Sequence, residues 1–201
     1  MNPSLPVKSV DELITFVKAN PDRLKYTSGG AYGGPSHVAG ELFNMTAGVE
    51  IAYVPSFKGH AAAGAALSEG RDVQLMFDGV HSAMPHIKSG KWRALAVTTA
   101  ERTATVPDLP TIAECGLEGY EVSPSMGVLA PAGTPEEIVT RLSSEIAKIV
   151  HMPDVKARFH SDGKEPIGSS PQQFAAYIKA EIGKWAKVVK SAGIEVHDFP
   201  K

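Results

Sequence analysis

The sequence has little cysteine, no long apolar run and no long run of charge of one sign. Its 201 residues include one cysteine, Cys115, so neither an intrachain disulfide nor a zinc site built from several cysteines can form. The apolar runs are far shorter than the roughly 20 residues that cross a bilayer. Lysine plus arginine (20) nearly balances aspartate plus glutamate (22). A surface for nucleic acid would show a basic patch, so no nucleic-acid partner is predicted.

Motifs for metal binding and covalent catalysis are also missing. The seven histidines form neither H-E-x-x-H nor a compact cluster with carboxylates, which argues against a metal site. No G-x-S-x-G element is present. Ser36 and His37 are adjacent, so on a helix their side chains diverge by roughly 100° and make a poor nucleophile and base. We therefore expect a binding protein without a cofactor rather than an enzyme.

The N-terminus lacks the order of basic, apolar and small residues that marks a secretory leader. We expect a cytoplasmic protein if Met1 is the natural start. The alternative is that the natural N-terminus lies upstream of Met1.

Short apolar runs alternate with helical patterns in the first half of the sequence. The predicted strands are Leu24–Tyr26, Val49–Val54, Val73–Phe77 and Trp92–Thr98. The predicted helices follow the capping box Ser9–Glu12, run from Pro35 to Gly48, follow Gly59 to about Ser68, and cover His81–Lys88. Such alternation is typical of βαβ units, so the predicted fold class is α/β with a mostly parallel sheet.

The sequence changes character near Pro131 and is mainly helical from Thr134 onward. Thr134–Glu137 predicts a further capping box, and Ser170 predicts the start of the last helix. The apolar positions that recur at helical spacing are Ile138, Leu142, Ile146 and Ile149, then Phe174, Tyr177, Ile178, Ile182, Trp185 and Val189. We place the segment boundary near Pro131.

A glycine-rich stretch, Leu24–Phe43, predicts a strand, a loop and a helix start. Glycines allow positive φ and close approach of the backbone, and Pro35 suits the first helical position. The first amides of a helix have no intrahelical partner and lie at the positive end of its dipole, so they attract an anion. The hypothesis is a carboxylate or phosphate site in this loop. The alternative is a tight turn without a ligand, since the spacing matches neither a dinucleotide fingerprint nor a P-loop.

Two further loops are predicted at strand ends, Pro55–Gly59 and Asp78–Ser82. Ligands in open α/β sheets bind beyond the carboxyl ends of the strands. Asp78 follows an apolar strand and has two interpretations, an N-cap of the next helix or an acceptor for a ligand hydroxyl or amine. Lys58 offers a positive charge to an anion or is a solvated surface lysine.

Several motifs in fixed order resemble those of one protein family. One is the block YTSGGAYGGPSHVAGELF, which resembles Y-x-S-x-G-x-G-S-x-x-H-L-x-x-E-L-F of the solute-binding proteins of tripartite tricarboxylate transporters, the Bug family. The family's V-P-Y-K-G is similar to VPSFKG. Its next segments resemble LMFDGVHSAMPHIKSGKWRALAVTTAERTATVPDLPTIAECGLEGYEV and GVLAPAGTP. The similarity extends from about Asn2 to Ile194.

The resemblance implies a periplasmic-binding-protein type II-like fold with two α/β lobes and a cleft. Residues 1–124 then form a complete ligand-binding lobe two. Residues 125–201 form a crossover strand and a largely helical segment that belongs to lobe one. The resemblance also implies a small carboxylate or amino-acid ligand, a membrane permease as partner and a periplasmic location.

The ligand-binding residues are carried over position by position. The matches to the loop and helix start of lobe two, with one further glycine of the same loop, are Ser28, Gly29, Gly30, Gly33, Ser36 and His37. Asp78 matches the aspartate at the cleft. The sequence departs from the family at Ser125 and Met126, where Trp-Phe is expected, and VPSFKG is one residue longer than the usual loop.

Family members also carry a longer N-terminal part with the signal peptide and the first half of lobe one. Without it, Ile138, Leu142, Phe174, Ile178 and Trp185 are expected to pack on lobe two in a new arrangement or on a second copy, as a homodimer. Two other functions remain open at this point. One is a stand-alone sensor or vestigial binding module without a permease, and the other is an α/β enzyme for a phosphate or carboxylate substrate.

Overall fold

The computed structural model describes residues 1–55, 59–161 and 164–194. These residues form two compact units. Unit 1 contains Met1–Ser123 together with the described residues from Lys187 onward, and unit 2 contains Pro124–Ala186. Each unit is described by itself below.

Unit 1 is built on a small parallel sheet. Its strands are β1 (Lys25–Thr27), β2 (Ala52–Tyr53) and β3 (Leu75–Met76), in the order β2-β1-β3. Lys25 lies opposite Ala52, and Tyr26 lies opposite Leu75. The helices of the first half are α1 (Val10–Ala19), α2 (Pro35–Ala47), α3 (His60–Glu69) and α4 (Val80–Lys88). The predicted α/β class is confirmed, and the strand ends are followed by α2, α3 and α4 in turn.

Local signals set the ends of the first helices as predicted. The Ser9 hydroxyl accepts a hydrogen bond from the Glu12 amide (3.1 Å), and the Glu12 carboxylate accepts one from the Lys8 amide (2.7 Å). Pro35 occupies the first position of α2, where a missing N–H removes no helical bond. Gly48 ends α2 in the left-handed conformation, with φ of 60°.

The core of unit 1 lies around the middle strand. Tyr26 of β1 is fully buried, and its ring packs against Gly40 of α2 so closely that a Cβ on Gly40 would lie 2.1 Å from Tyr26 Cε2. Leu67, Val73 and Trp92 form a second buried cluster. The remaining large buried side chains of unit 1 include Val7, Val10, Leu13, Val17, Phe43, Val97, Tyr120, Val122 and Val188.

The prediction of a fourth strand at Trp92–Thr98 is wrong. Within the described residues this segment makes one isolated bridge, between Val97 and Thr111, and joins no sheet. Its backbone groups are bonded to separate parts of the chain: the Trp92 amide to His86, and the Arg93 amide to Met1. A strand needs one continuous partner, and here the partners are scattered.

Unit 2 is mainly helical, as predicted. It contains α5 (Glu136–Val150), α6 (Pro153–Ser161) and most of α7 (Pro171–Ser191). The last helix starts directly after Ser170, as predicted, and Ser170 and Gln173 form a reciprocal capping box there. The capping box predicted at Thr134 is wrong, because the Thr134 hydroxyl donates to the Pro131 carbonyl and Pro135 is the N-cap of α5.

Apolar side chains of α5 remain exposed. Ile138 is 45% exposed and Leu142 is 53% exposed. Packing of these side chains on lobe two or on a second copy stays a prediction. In the part of the chain that the structure describes, no helix combines the length and the apolar character that crossing a membrane requires.

Candidate ligand-binding site

Three loops come together at the carboxyl ends of the parallel strands. The first loop, residues 28–34, joins β1 to α2, and residues 77–79 join β3 to α4. Between β2 and α3 the structure describes residues 54, 55 and 59. Gly29 of the first loop lies against His60 of α3, since a Cβ on Gly29 would approach His60 Cδ2 to 2.4 Å. His60 Nε2 lies 2.9 Å from Asp78 Oδ1 and 3.0 Å from Asp78 Oδ2.

Some backbone amides of the first loop are used within the loop itself. The Gly33 amide donates to His37 Nδ1 (2.9 Å), and the Gly34 amide donates to the Ala31 carbonyl (2.9 Å). Gly33 has a φ of 75°, a conformation that favours glycine. These bonds fix the turn that leads into α2.

Other amides at the same place have no acceptor among the described residues. They belong to Gly29, Gly30 and Ser36, and all three residues are at least partly accessible to solvent. Ser36 is the second residue of α2, where an amide has no intrahelical partner. An anion at this place would accept hydrogen bonds from backbone donors at the positive end of the helix dipole. Binding of an anion by these amides stays a prediction.

Two of the predicted site residues, Ser28 and His37, are buried. The Ser28 hydroxyl lies 2.9 Å from the Tyr53 hydroxyl and donates to the Gly30 carbonyl (3.3 Å). The His37 ring is stacked on Tyr53 with centroids 3.8 Å apart. Their polar groups are thus engaged inside the protein, where they hold the first loop in place. Direct contact of either side chain with a ligand stays a prediction.

Burial sets the charge state of the groups below the loop. Burial lowers the pKa of His37, and the nearby Glu41 carboxylate opposes this only in part. A neutral ring whose Nδ1 accepts from Gly33 carries its proton on Nε2. The pKa of Tyr26 is raised by burial and by its hydrogen bond to Glu41 (2.6 Å). The interior beneath the loop is therefore held by neutral aromatic groups and one carboxylate.

Asp78 does not cap the next helix. Gly79 occupies the N-cap position of α4, which corrects the N-cap interpretation. The Asp78 side chain is 12% exposed and its carboxylate is directed to the His60 ring. Whether Asp78 also accepts a bond from a ligand stays a prediction. The interpretation of Lys58 falls outside the described residues.

His60 is the residue that the sequence reasoning missed. The sequence does contain a signal for it. His60 begins a predicted helix after one predicted strand, and Asp78 directly follows the next predicted strand. What the sequence does not reveal is that β1 lies between these two strands and that its loop brings Gly29 against the pair. Within the described residues, no group of three or more histidine, cysteine, aspartate or glutamate side chains could hold a metal ion.

Comparison with protein families gives one match over nearly the whole chain. The model of the tripartite tricarboxylate transporter family receptor matches residues 1–194. A curated relative from Pseudomonas sp. strain P51, named for its position between tcbD and tcbE, is 37% identical over 183 residues, covering 90% of this chain and 54% of that protein. BugT of Bordetella pertussis is 33% identical and covers 97% of this chain and 59% of that protein. The chain therefore spans a little over half the length of these relatives.

Solved structures give the same result for the fold. Rpa4515 of R. palustris, solved with adipate, superposes with a TM-score of 0.80 at 42% identity, over 96% of this chain and 63% of that one. MatC of Rhodopseudomonas palustris, solved with bound malate, superposes with a TM-score of 0.69 at 32% identity, over 92% of this chain and 63% of that one. Both structures are also similar to this chain in sequence, so they support the family membership as well as the fold.

Proposed function

Since the chain belongs to the tripartite tricarboxylate transporter receptor family, we propose that it is a solute-binding protein, or part of one, for a small organic carboxylate or amino acid. The family's described role is that of a receptor, which agrees with the lack of a catalytic constellation in the sequence. We infer that the chain binds and releases its ligand without altering it.

The observation that carries this proposal is the group of accessible amides at the carboxyl edge of the sheet. Gly29 and Gly30, in the loop before α2, and Ser36, the second residue of α2, have N–H groups with no acceptor among the described residues. Carboxylate oxygens are suitable acceptors for such donors. Two solved relatives are named with adipate and malate, which are both dicarboxylates. The proposed binding residues are Ser28, Gly29, Gly30, Gly33, Ser36, His37 and Asp78.

The rest of the proposal follows from family membership. We propose that residues 1–124 act as the ligand-binding lobe and that residues 125–201 belong to a second lobe. We also propose that the protein delivers its ligand to a membrane permease of a tripartite transporter, and that it works in the periplasm. The support is the family description and the family's periplasmic members, such as the periplasmic binding protein BugD.

Thermal-shift measurements with adipate, malate and a panel of other carboxylates and amino acids test the proposal. A ligand that binds the folded state raises Tm in proportion to the logarithm of its concentration once it exceeds Kd. The variant Gly30→Glu places a like charge at the loop, where a Cβ would meet no other atom within 4 Å, so it should fold and lose the shift. The matched control is Gly183→Glu, also at an open position, and it should keep the shift.

Two results would contradict the proposal. One is the absence of any shift across the panel with the parent protein. The other is an equal shift in the parent and in the Gly30→Glu variant, which would place the ligand elsewhere.

A further inference from the structure

The imidazole of His60 is the centre of a contact between three strand-end segments. Its Cδ2 edge faces Gly29, its Nε2 is bonded to both Asp78 oxygens, and its side chain is 42% exposed. Among the described residues, Nδ1 of this ring has no hydrogen-bond partner. The ring is thus fixed on two sides and open to solvent on the remaining side.

The charges around the amides of the first loop create a problem for an anionic ligand. Asp78 carries a negative charge beside the loop, and it would repel a carboxylate. Among the described residues of the three strand-end segments, His60 is the one basic side chain; Lys58 of the same loop lies outside them. With a protonated ring the His60 and Asp78 pair is neutral. With a neutral ring the pair carries a net charge of minus one.

Hydrogen-bond chemistry leads to the same conclusion. An ionised carboxylate only accepts, so Nε2 must carry a proton to bond with Asp78. In the neutral ring Nδ1 is then an acceptor and has nothing to offer to a carboxylate. In the imidazolium Nδ1 becomes a donor, and such a charge-assisted bond is among the stronger hydrogen bonds in proteins.

We propose that His60, held by Asp78, is a specificity-determining residue of the carboxylate site and supplies a positive charge to it as an imidazolium. This inference rests on the proposed function and deepens it. Asp78 acts as a positioning residue, because its two oxygens lie 2.9 and 3.0 Å from Nε2 and orient the ring. The site then binds anions with uptake of up to one proton, and it discriminates against cationic ligands.

Other charged groups near the ring are few in the described part of the chain. The first loop contributes one titratable side chain, Tyr32, and the first turn of α3 after His60 contains only alanine. The first turn of α4 contains His81, which is exposed. Glu41 on α2 is bonded to the Tyr26 hydroxyl. Asp78 is therefore the charged partner that faces the ring.

Isothermal titration calorimetry with adipate and with malate tests the inference. The window is about pH 6 to 8.5, where both carboxyl groups of either probe are mostly ionised and histidine side chains in general change charge. Titrations in two buffers of different ionisation enthalpy count the protons taken up. For the parent protein we expect proton uptake that approaches one per ligand at high pH. Affinity should fall by up to about tenfold per pH unit there and level off at low pH.

Two variants separate the roles of the pair. His60→Gln should bind about tenfold more weakly at low pH, because a charge-assisted hydrogen bond is lost at a partly exposed position, and its affinity should no longer depend on pH. Asp78→Asn keeps an acceptor for the ring and removes the repelling charge, so at high pH it should bind adipate, which has no hydroxyl for Asp78 to accept from, more tightly than the parent. A merely structural role of Asp78 would weaken binding at every pH. The matched controls, His151→Gln and Asp72→Asn, change exposed residues and should reproduce the parent curve.

The outcomes distinguish this inference from the proposed function. If the parent binds neither probe, both are overturned. If the parent binds with no proton uptake, or if His60→Gln binds as the parent does, the role of His60 alone is overturned. Should His60→Gln fail to fold, as judged by circular dichroism, proton counting on the parent and the Asp78→Asn curve decide the matter.

Discussion

Replacing Gly40 by alanine should destabilise the protein, although alanine normally stabilises a helix. The new Cβ would lie 2.1 Å from Tyr26 Cε2, 2.3 Å from Cζ and 2.7 Å from the hydroxyl oxygen. Ordinary carbon contacts are about 3.5–4.0 Å, so the ring or the helix must move by more than an ångström. Tyr26 cannot turn away easily, because it is fully buried and its single hydroxyl proton is shared between the Glu41 carboxylate (2.6 Å) and the His37 carbonyl (3.0 Å).

The expected magnitude follows from two opposing effects. Overpacking in a core costs about 1–3 kcal/mol, and the rigid surroundings of Tyr26 place this site at the upper end. Alanine in place of glycine inside a helix stabilises the helix by about 1 kcal/mol. We therefore expect the free energy of unfolding to fall by about 2 kcal/mol, which corresponds to a loss of about 4–8 °C in Tm for a chain of this size.

Urea unfolding followed by tryptophan fluorescence measures the effect. A Trp185→Phe background leaves Trp92, which is buried in unit 1, as the reporter. Gly183→Ala is the matched control, because it lies in α7 with no atom near the new Cβ, and it should be neutral or stabilising by up to about 1 kcal/mol. In a Tyr26→Leu background, Gly40→Ala should cost much less. A Gly40→Ala variant as stable as its parent would refute the argument from close packing.

Two further predictions concern stability. Burial lowers the pKa of His37, and the Glu41 carboxylate opposes this only in part, so the unfolded chain binds a proton more readily than the folded one. The contribution of His37 to the free energy of unfolding is therefore complete above about pH 6.5. On acidification below that pH, the free energy of unfolding should fall by up to about 1.4 kcal/mol per pH unit. Urea unfolding measured across pH 5–8 checks this prediction. His37→Gln should flatten the dependence of the unfolding free energy on pH, whereas the control His81→Gln should keep it. The same slope in both variants would contradict the prediction. Ser9→Ala removes an observed N-cap bond and should lower the free energy of unfolding by about 1 kcal/mol. Thr134→Ala should lower it less, because the Thr134 hydroxyl donates to the Pro131 carbonyl and caps no helical amide. Equal losses of stability in chemical denaturation would show that the cap bond is unimportant.

Sequence alone predicted those features that depend on neighbours within a few residues. The Ser9 cap, Pro35 at the first position of α2 and Gly48 at its end were all predicted and are all confirmed. Each is fixed by side-chain and backbone atoms less than one helical turn apart, so the pattern of residue types carries the information. The order of motifs also identified the family, because it holds over nearly the whole chain.

The tertiary structure decided which segments and side chains meet. Trp92–Thr98 has the composition of a strand but finds no continuous partner, while the shorter β2 and β3 do, on either side of β1. Nothing within ten residues of His60 indicates that it will bond to Asp78 and lie against Gly29. The physical reason is distance along the chain: caps are local hydrogen bonds, whereas strand pairing and the convergence of strand-end loops depend on how remote segments pack.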